Sequence, residues 1–258
     1  MRHILALGKR ELIAYFLSPI GYIVGFLFIG LYNVFFYAGL NEVVSNPRMS
    51  PDANAVLIGA VSSVNILALF AIPFLTMNLP ADEKRSGTIE MLMTAPVRDW
   101  EVVLGKYLGS VIFTVCLIVP SAAHLIAVRI YGLPAWGNLF TAYLGMVLMV
   151  LFLLAFGLFF SSISKSPLAS VMLSFVAFLT LLILGAFIPE TPPVLEAGTF
   201  FANVSHYLFA FLRYASLSEH YMNFFYGLVN TRDVIYFVSG TVFFLFLSTL
   251  AVESRKWK

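Results

Sequence analysis

The chain has 258 residues, of which 60% are hydrophobic and 11% are charged, and its mean hydropathy is +0.93. In a soluble globular protein about a quarter of the residues are charged. The lower charged fraction of this chain excludes an ordinary water-soluble domain and indicates that lipid surrounds much of its surface. The single cysteine, Cys116, excludes a disulfide framework within the chain, and the net charge of +2 is informative only once the charges are located.

The N-terminal segment, residues 1–18, is predicted to form an amphipathic helix that lies in the membrane interface. Its apolar and charged residues alternate at helical spacing, and Ser18-Pro19 marks a bend after it. The alternative is a charged flank of the first span. The uncharged run that starts at Leu12 is 30 residues long, which exceeds the apolar region of a signal peptide, so we interpret the first span as retained.

Six uncharged stretches are long enough to cross the bilayer as helices, since about 20 apolar residues span about 30 Å of hydrocarbon. Backbone groups in lipid must be satisfied within the segment, so the predicted fold class is an all-α integral membrane protein. The predicted spans cover about residues 19–40, 56–81, 102–128, 138–163, 167–188 and 234–252 of one transmembrane domain, residues 1–258. Asp99 is predicted to cap the third span. A buried core helix is the alternative for one such run but not for six.

Lysine and arginine counts at the span ends predict that both termini are cytoplasmic. With the N-terminus inside, the inner segments hold 11 of the 15 lysine and arginine residues. The outer segments then hold four, Arg48, Arg129, Arg213 and Arg232. Positive residues concentrate on the cytoplasmic side of membrane proteins, and the opposite orientation would reverse this bias.

The segment between the second and third spans, residues 82–106, holds 9 of the chain's 28 charged residues. Gly87 ends the preceding helix, and Thr88 can cap a short new helix with Glu90 in its first turn. Three apolar residues share one face of this helix, namely Ile89, Leu92 and Met93. Pro96 then ends it. We predict a rigid connection that transmits a push from a soluble partner into two spans; an ordinary solvated loop is the alternative.

The segment before the last span, residues 190–233, contains two apolar pieces, residues 197–212 and 221–229. Neither piece is long enough to cross the bilayer. They predict interfacial or re-entrant helices on the outer side, which rest on the outer leaflet or cap a cavity. A structured outer loop without a role in translocation is the open alternative.

The chain offers no recognisable catalytic, cofactor or metal site. Its four histidines, His3, His124, His206 and His220, lack the spacing of haem or metal ligands, and a hydrogen-bonded role at the interface is predicted for His124. A phosphate-binding loop needs Gly-x-x-x-x-Gly-Lys followed by Ser or Thr, and neither Gly8-Lys9 nor Gly105-Lys106 fits that pattern. We therefore expect no enzymatic activity and no bound cofactor.

The predicted spans contain almost no charge, whereas ion-coupled carriers keep at least one charged residue in the membrane. Polar residues such as Asn33 are expected to join helices rather than to form a pathway. Gly105 and Gly109 form a Gly-x-x-x-Gly pair that permits close helix approach at the inner end of the third span. The energy for transport must then enter from outside this chain.

Three motifs carry a family resemblance. The run Glu83-Lys84-Arg85-Ser86-Gly87-Thr88-Ile89-Glu90-Met91-Leu92, followed by Pro96 and Leu104-Gly105-Lys106, resembles the signature of ABC-2-type transporter permeases. The opening residues Lys9-Arg10-Glu11-Leu12 and Ser18-Pro19-Ile20-Gly21-Tyr22 look like the gliding-motility-associated branch of that family, as does Thr231-Arg232-Asp233-Val234-Ile235-Tyr236-Phe237.

The resemblance implies more than composition does. Members have six spans, an N-terminal elbow helix, and a coupling helix, here residues 88–96, that enters a groove of a separate ATP-binding subunit. On this resemblance the coupling residues are Glu83, Arg85, Gly87, Thr88, Glu90, Leu92 and Pro96. The implied partners are the ATP-binding subunit, which holds the ATP, a second permease copy or a sister permease, and an accessory membrane protein with an extracytoplasmic domain. The implied location is the plasma membrane of a prokaryote.

Three functions remain to be weighed. The leading hypothesis is the permease of an ATP-driven exporter, which hydrolyses nothing itself and binds no nucleic acid. The second is a mechanical subunit that transmits the same motion to an extracytoplasmic partner without moving a substrate. The third, a membrane enzyme or electron carrier, is disfavoured by the spacing of the histidines.

Overall fold

The computed structural model describes residues 2–45, 53–77, 98–131, 136–187 and 200–254. These residues form ten α-helices, one short 3₁₀-helix and no strand. The α-helices are α1 (Arg2–Leu17), α2 (Pro19–Ser45), α3 (Ala53–Thr76), α4 (Asp99–Ile118), α5 (Ala122–Tyr131), α6 (Trp136–Ile163), α7 (Pro167–Phe187), α8 (Phe200–Ala215), α9 (Leu217–Phe225) and α10 (Thr231–Glu253).

Within these described ranges, six helical segments are long and apolar enough to cross a membrane. They are Pro19–Asn41, Gly59–Thr76, Asp99–His124, Trp136–Ile163, Pro167–Phe187 and Thr231–Glu253. The predicted class, an all-α integral membrane protein, is therefore confirmed. The described helix α1 covers the predicted N-terminal elbow, while its location in the membrane interface stays a prediction.

The third span is less regular than predicted. Instead of one helix over residues 102–128, α4 ends at Ile118, a 3₁₀ turn occupies Val119–Ser121, and α5 follows. Pro120 explains the interruption, because proline lacks the N–H that an α-helix needs and its ring crowds the preceding turn. Pro120 is the sequence feature that indicates this interruption, but it lies within a uniformly apolar run that otherwise predicts a continuous helix.

The central helix of the bundle is α6, which packs against α3, α4, α7, α9 and α10. Its buried side chains include Met146, Met149 and Leu154, none of which is more than 1% exposed. Phe152 packs at aromatic contact distance from Tyr236 and Phe244 of α10, with centroid separations of 5.7 Å each. Such aromatic pairs add to the burial of apolar area, so the contact between α6 and α10 is a main element of the core.

The outward faces of α2, α7 and α10 remain apolar. Phe26, Phe187 and Phe246 are 78%, 79% and 59% exposed, respectively. Exposing such large apolar faces to water would be unfavourable, whereas in a bilayer they contact lipid acyl chains without this loss of free energy. The exposed apolar surface therefore agrees with the composition.

Two helices occupy the segment before the last span, as its apolar pieces predicted. The first, α8, overlaps residues 197–212, but the second, α9, begins at Leu217, four residues before the expected start at Tyr221. Ser216 is the N-cap of α9 and its backbone N–H donates to Arg213 O at 3.1 Å, so α8 and α9 are joined by a tight turn. Their interfacial or re-entrant position stays a prediction.

Candidate functional site

The predicted coupling residues lie outside the described part of the chain. Residues 78–97 contain all of them: Glu83, Arg85, Gly87, Thr88, Glu90, Leu92 and Pro96. Their roles therefore stay a prediction. The structure does describe the two ends to which this segment is attached, Met77 after α3 and Arg98 before α4, and the contacts of these ends determine where a force on the segment would go.

The C-terminal end of the segment enters α4 through a well-defined cap. Arg98 occupies the N-cap position, and its backbone N–H donates to Glu101 Oε2 at 3.1 Å. The prediction that Asp99 caps this helix is wrong: Asp99 is the first helical residue, where its carboxylate still suits the positive end of the helix dipole. Glu101, three residues after the N-cap, is the side chain that accepts the hydrogen bond from the Arg98 backbone N–H.

The N-terminal end of the segment leaves α3 while held by two other helices. Met77 O accepts a hydrogen bond from Ser161 Oγ of α6 at 3.3 Å, and Leu75 O accepts one from Tyr15 Oη of α1 at 2.6 Å. Thr76 is fully buried against Gly157 of α6, where a Cβ atom would come within 2.5 Å of Thr76 Oγ1. The end of α3 is thus fixed by backbone acceptors and by close packing.

The elbow helix α1 also packs unusually closely against α4. A Cβ atom at Gly105 would lie 2.6 Å from Leu7 Cβ, and one at Gly109 would lie 2.6 Å from Glu11 Cβ and 2.9 Å from Gly8 O. Real Cβ atoms essentially never approach other atoms below 3.0 Å. The predicted close approach at the Gly105/Gly109 pair is confirmed, and its partner, which the sequence did not identify, is α1.

A buried ion pair joins the same two helices. Lys106 Nζ lies 2.8 Å from Glu11 Oε1, and the two side chains are 5% and 16% exposed, respectively. Sequence reasoning missed this pair because its members are 95 residues apart. Both residues belong to motifs on which the family resemblance was based, but nothing in those motifs says that they meet.

These contacts define what we call the α1 clamp: Gly8, Glu11 and Tyr15 on α1, with Leu75, Gly105, Lys106 and Gly109 on α3 and α4. Burial, with a smaller contribution from the charge of Glu11, raises the pKa of the Tyr15 hydroxyl above its usual range. The hydroxyl therefore stays protonated and donates to Leu75 O. Through the clamp, α1 is bonded to the end of α3 at Leu75 and to α4 at Lys106, about two turns after Arg98.

The comparisons with known proteins decide the family. The model of the family described as ABC-2 family transporter protein matches residues 9–253, which is nearly the whole chain. The chain belongs to this family.

Among relatives of the ABC-2 chain are two proteins of Escherichia coli, from strain K12 and from O157:H7. Each is described as the probable multidrug ABC transporter permease YbhR, and each is 24% identical to it over 170 residues. These matches cover 65% of the chain but only 46% of the relatives, so the chain aligns with less than half of their length. The assignment to the gliding-motility-associated branch stays a prediction.

Two histidines of the ABC-2 chain, His124 and His220, take part in hydrogen bonds. Within the described ranges, no three His, Cys, Asp or Glu side chains come together in a way that could hold a metal ion. His124 Nε2 lies 3.0 Å from Asn33 Oδ1, and Asn33 Nδ2 donates to Ile29 O at 2.7 Å, which assigns the acceptor role to Oδ1. His124 is hydrogen-bonded as predicted, and Asn33 joins α2 to α5.

Proposed function

We propose that the chain is the membrane-spanning permease subunit of an ATP-driven exporter, coupled to ATP hydrolysis in a separate subunit. Membership of the ABC-2 family supports the permease role, and the family resemblance supports export. The α1 clamp is the observation that best supports the coupling step, because it joins one helix to both α3 and α4, the helices on either side of the predicted coupling segment.

In the proposed mechanism, residues 88–96 form a coupling helix that docks on the ATP-binding subunit. Glu83, Arg85 and Glu90 supply charged contacts, Thr88 caps the helix, Leu92 lies on its apolar face, and Gly87 and Pro96 bound it. Closure of the ATP-binding subunits pushes this helix. The push then reaches α3 and α4 together, since α1 is bonded to both helices.

The direction of force within the bundle follows from the contacts of α3. Ser161 and Gly157 place the end of α3 directly on α6, the central helix. A displacement of the coupling helix would therefore act on the core of the bundle and not on a loosely attached span. Packed helices shift between discrete arrangements rather than deforming continuously, which is the behaviour that alternating access requires.

We further propose that the chain works without a catalytic residue or a bound cofactor of its own, with ATP held by the partner subunit. Two permeases, identical or sister chains, would pair in the plasma membrane of a prokaryote with both termini in the cytoplasm. An accessory membrane protein with an extracytoplasmic domain is a further proposed partner. The exposed apolar side chains of α2 and α7 are available to contact lipid or a second permease.

The test is co-purification of the tagged chain with the ATP-binding subunit encoded beside it, followed by ATPase rates in nanodiscs. The wild type is expected to form a stable complex, and Glu90→Lys is expected to lose most of the stimulated rate. Glu190→Lys, a matched charge reversal in the predicted outer segment, should leave the rate unchanged. Equal rates for both variants would refute the coupling assignment, and no complex with any ATP-binding subunit would refute the permease role.

A substrate measurement separates transport from purely mechanical work. Candidate amphiphiles, such as fluorescent drugs and short-chain lipids, are enclosed in liposomes with the complex, and their ATP-dependent movement is followed. Movement that stops in the Glu90→Lys variant supports export. A complex that hydrolyses ATP while the permease pair stays sealed, as tested by cysteine crosslinking, would instead favour the mechanical function.

A further inference from the structure

A polar cavity of about 350 Å³ lies where the last span begins, between the end of α8, helix α9 and the start of α10. Its lining includes Arg213, Glu219, Asn223, Asn230 and Arg232. None of these residues takes part in the α1 clamp or in the predicted coupling segment. The cavity therefore calls for an explanation of its own.

The acidic group at the base of the cavity already has hydrogen-bond partners. Asp233 is 1% exposed, its Oδ1 lies 2.6 Å from His220 Nδ1, and its Oδ2 accepts a hydrogen bond from Asn223 Nδ2 at 2.7 Å. The other ring nitrogen of His220, Nε2, lies 2.9 Å from Tyr214 O, which is a pure acceptor. Both ring nitrogens of His220 thus lie at hydrogen-bond distance from an oxygen, and both carboxylate oxygens of Asp233 have a partner within the cavity wall.

The second carboxylate of the cavity is paired as well, which leaves the Arg232 guanidinium without a carboxylate partner among the described residues. Glu219 Oε1 lies 3.4 Å from Arg213 Nε. Among the described residues, no carboxylate lies within 4 Å of the guanidinium of Arg232, which instead sits 4.8 Å above the ring of Tyr214. Asn230 uses its Oδ1 to accept from Arg232 N at 3.1 Å, so its amide nitrogen is left as a further donor.

The position and rim of the cavity indicate an amphiphilic ligand. The candidate span starts at Thr231, which agrees with the predicted interfacial position of α8 and α9 and would put the cavity at the level of lipid headgroups. On α8, the large side chains of Tyr207, Leu208 and Phe211 are 73%, 52% and 67% exposed. A polar cavity with an uncompensated guanidinium beside an exposed apolar face matches a molecule with an anionic head and acyl chains.

We propose that this cavity binds the phosphate group of a phospholipid headgroup. The Arg232 guanidinium, oriented by its stacking on Tyr214, donates to the phosphate oxygens, and the Asn230 amide and Arg213 provide further donors. The acyl chains lie along the exposed face of α8. The proposal does not depend on ATP coupling or on transport, because the cavity belongs to the chain itself.

The test measures lipid binding to the purified full chain in phosphate-free detergent, by native mass spectrometry titration with phosphatidylglycerol. Arg232→Gln is expected to weaken binding of the first lipid by about tenfold, the loss of one charge-assisted hydrogen-bonding group. Arg129→Gln is the matched control: Arg129 also stacks on an aromatic ring, 5.6 Å from that of Trp136, but lies outside the cavity, and its removal should leave binding unchanged.

Two further arms identify the source of the phosphate. Diacylglycerol with the same acyl chains should bind equally weakly to the wild type and to Arg232→Gln, and millimolar inorganic phosphate should not displace phosphatidylglycerol. Arg232→Lys, which keeps the charge but not the planar donor set, should bind with intermediate affinity. Equal lipid affinity of Arg232→Gln and Arg129→Gln would overturn the site, and displacement by inorganic phosphate would overturn the lipid as its ligand.

Discussion

The ion pair between Glu11 and Lys106 gives the sharpest prediction of how the α1 clamp is stabilised. At 2.8 Å and an effective dielectric constant of about 20, the attraction between the charges is about 6 kcal/mol. Desolvation of both groups offsets most of it, so the pair as a whole contributes little, whereas losing one partner leaves an unpaired buried charge. That loss costs about 3–5 kcal/mol, and we expect the lower end because Glu11 is 16% exposed and can attract water.

The assay compares Glu11→Gln, Lys106→Met and the double variant by thermal unfolding in one detergent. Each single variant should unfold about 6–12 °C below the wild type, since 1 kcal/mol corresponds to about 2–4 °C at this chain length. The double variant should recover most of this loss, because it removes both charges. The matched control is Glu219→Gln, which breaks the Arg213–Glu219 pair, whose side chains are 42% and 40% exposed. Its effect should stay below about 1 kcal/mol.

Two results would refute the reasoning. If Glu11→Gln lowers the unfolding temperature no more than Glu219→Gln, the ion pair between Glu11 and Lys106 is solvated and not buried in the folded protein. If the double variant is destabilised by the sum of the two single changes, the charges do not interact.

Two further predictions concern the same clamp. Gly109→Val should lower the unfolding temperature, because a Cβ atom there would lie 2.6 Å from Glu11 Cβ and 2.9 Å from Gly8 O. Gly137→Val is the control and should not lower it, because a Cβ atom at Gly137 would have nothing within 4 Å. Equal effects of the two variants would contradict the close packing of α1 against α4. Tyr15→Phe removes the donor to Leu75 O and should cost about 0.5–1.5 kcal/mol near neutral pH. Because burial raises the pKa of Tyr15 in the folded state, its contribution is complete below the unfolded value of about 10 and falls as the pH rises above it. The wild type should therefore lose more stability than Tyr15→Phe between pH 9 and 11, and parallel losses in pH-dependent unfolding would rule this out.

The sequence alone was sufficient for the fold class, the number of spans and the family. Each span is recognised locally, because the free energy of placing a helix in hydrocarbon is a sum over about 20 consecutive residues. The short helices before the last span were also visible as apolar pieces of limited length. The local signals are insufficient at two places in the third span: the cap is Arg98, bonded to Glu101, and not Asp99, and Pro120 lies in a 3₁₀ turn that interrupts the helix.

The assignment of the coupling residues between Glu83 and Pro96 is based on the sequence and on the family resemblance. What surrounds them was decided by the tertiary structure alone: that Gly105 and Gly109 face α1, that Glu11 meets Lys106 across 95 positions, and that His220 pairs with Asp233. Such pairs cannot be read from a sequence, because each side chain has many chemically suitable partners along the chain. The choice among them is made by how whole helices pack, which depends on every contact of the bundle at once.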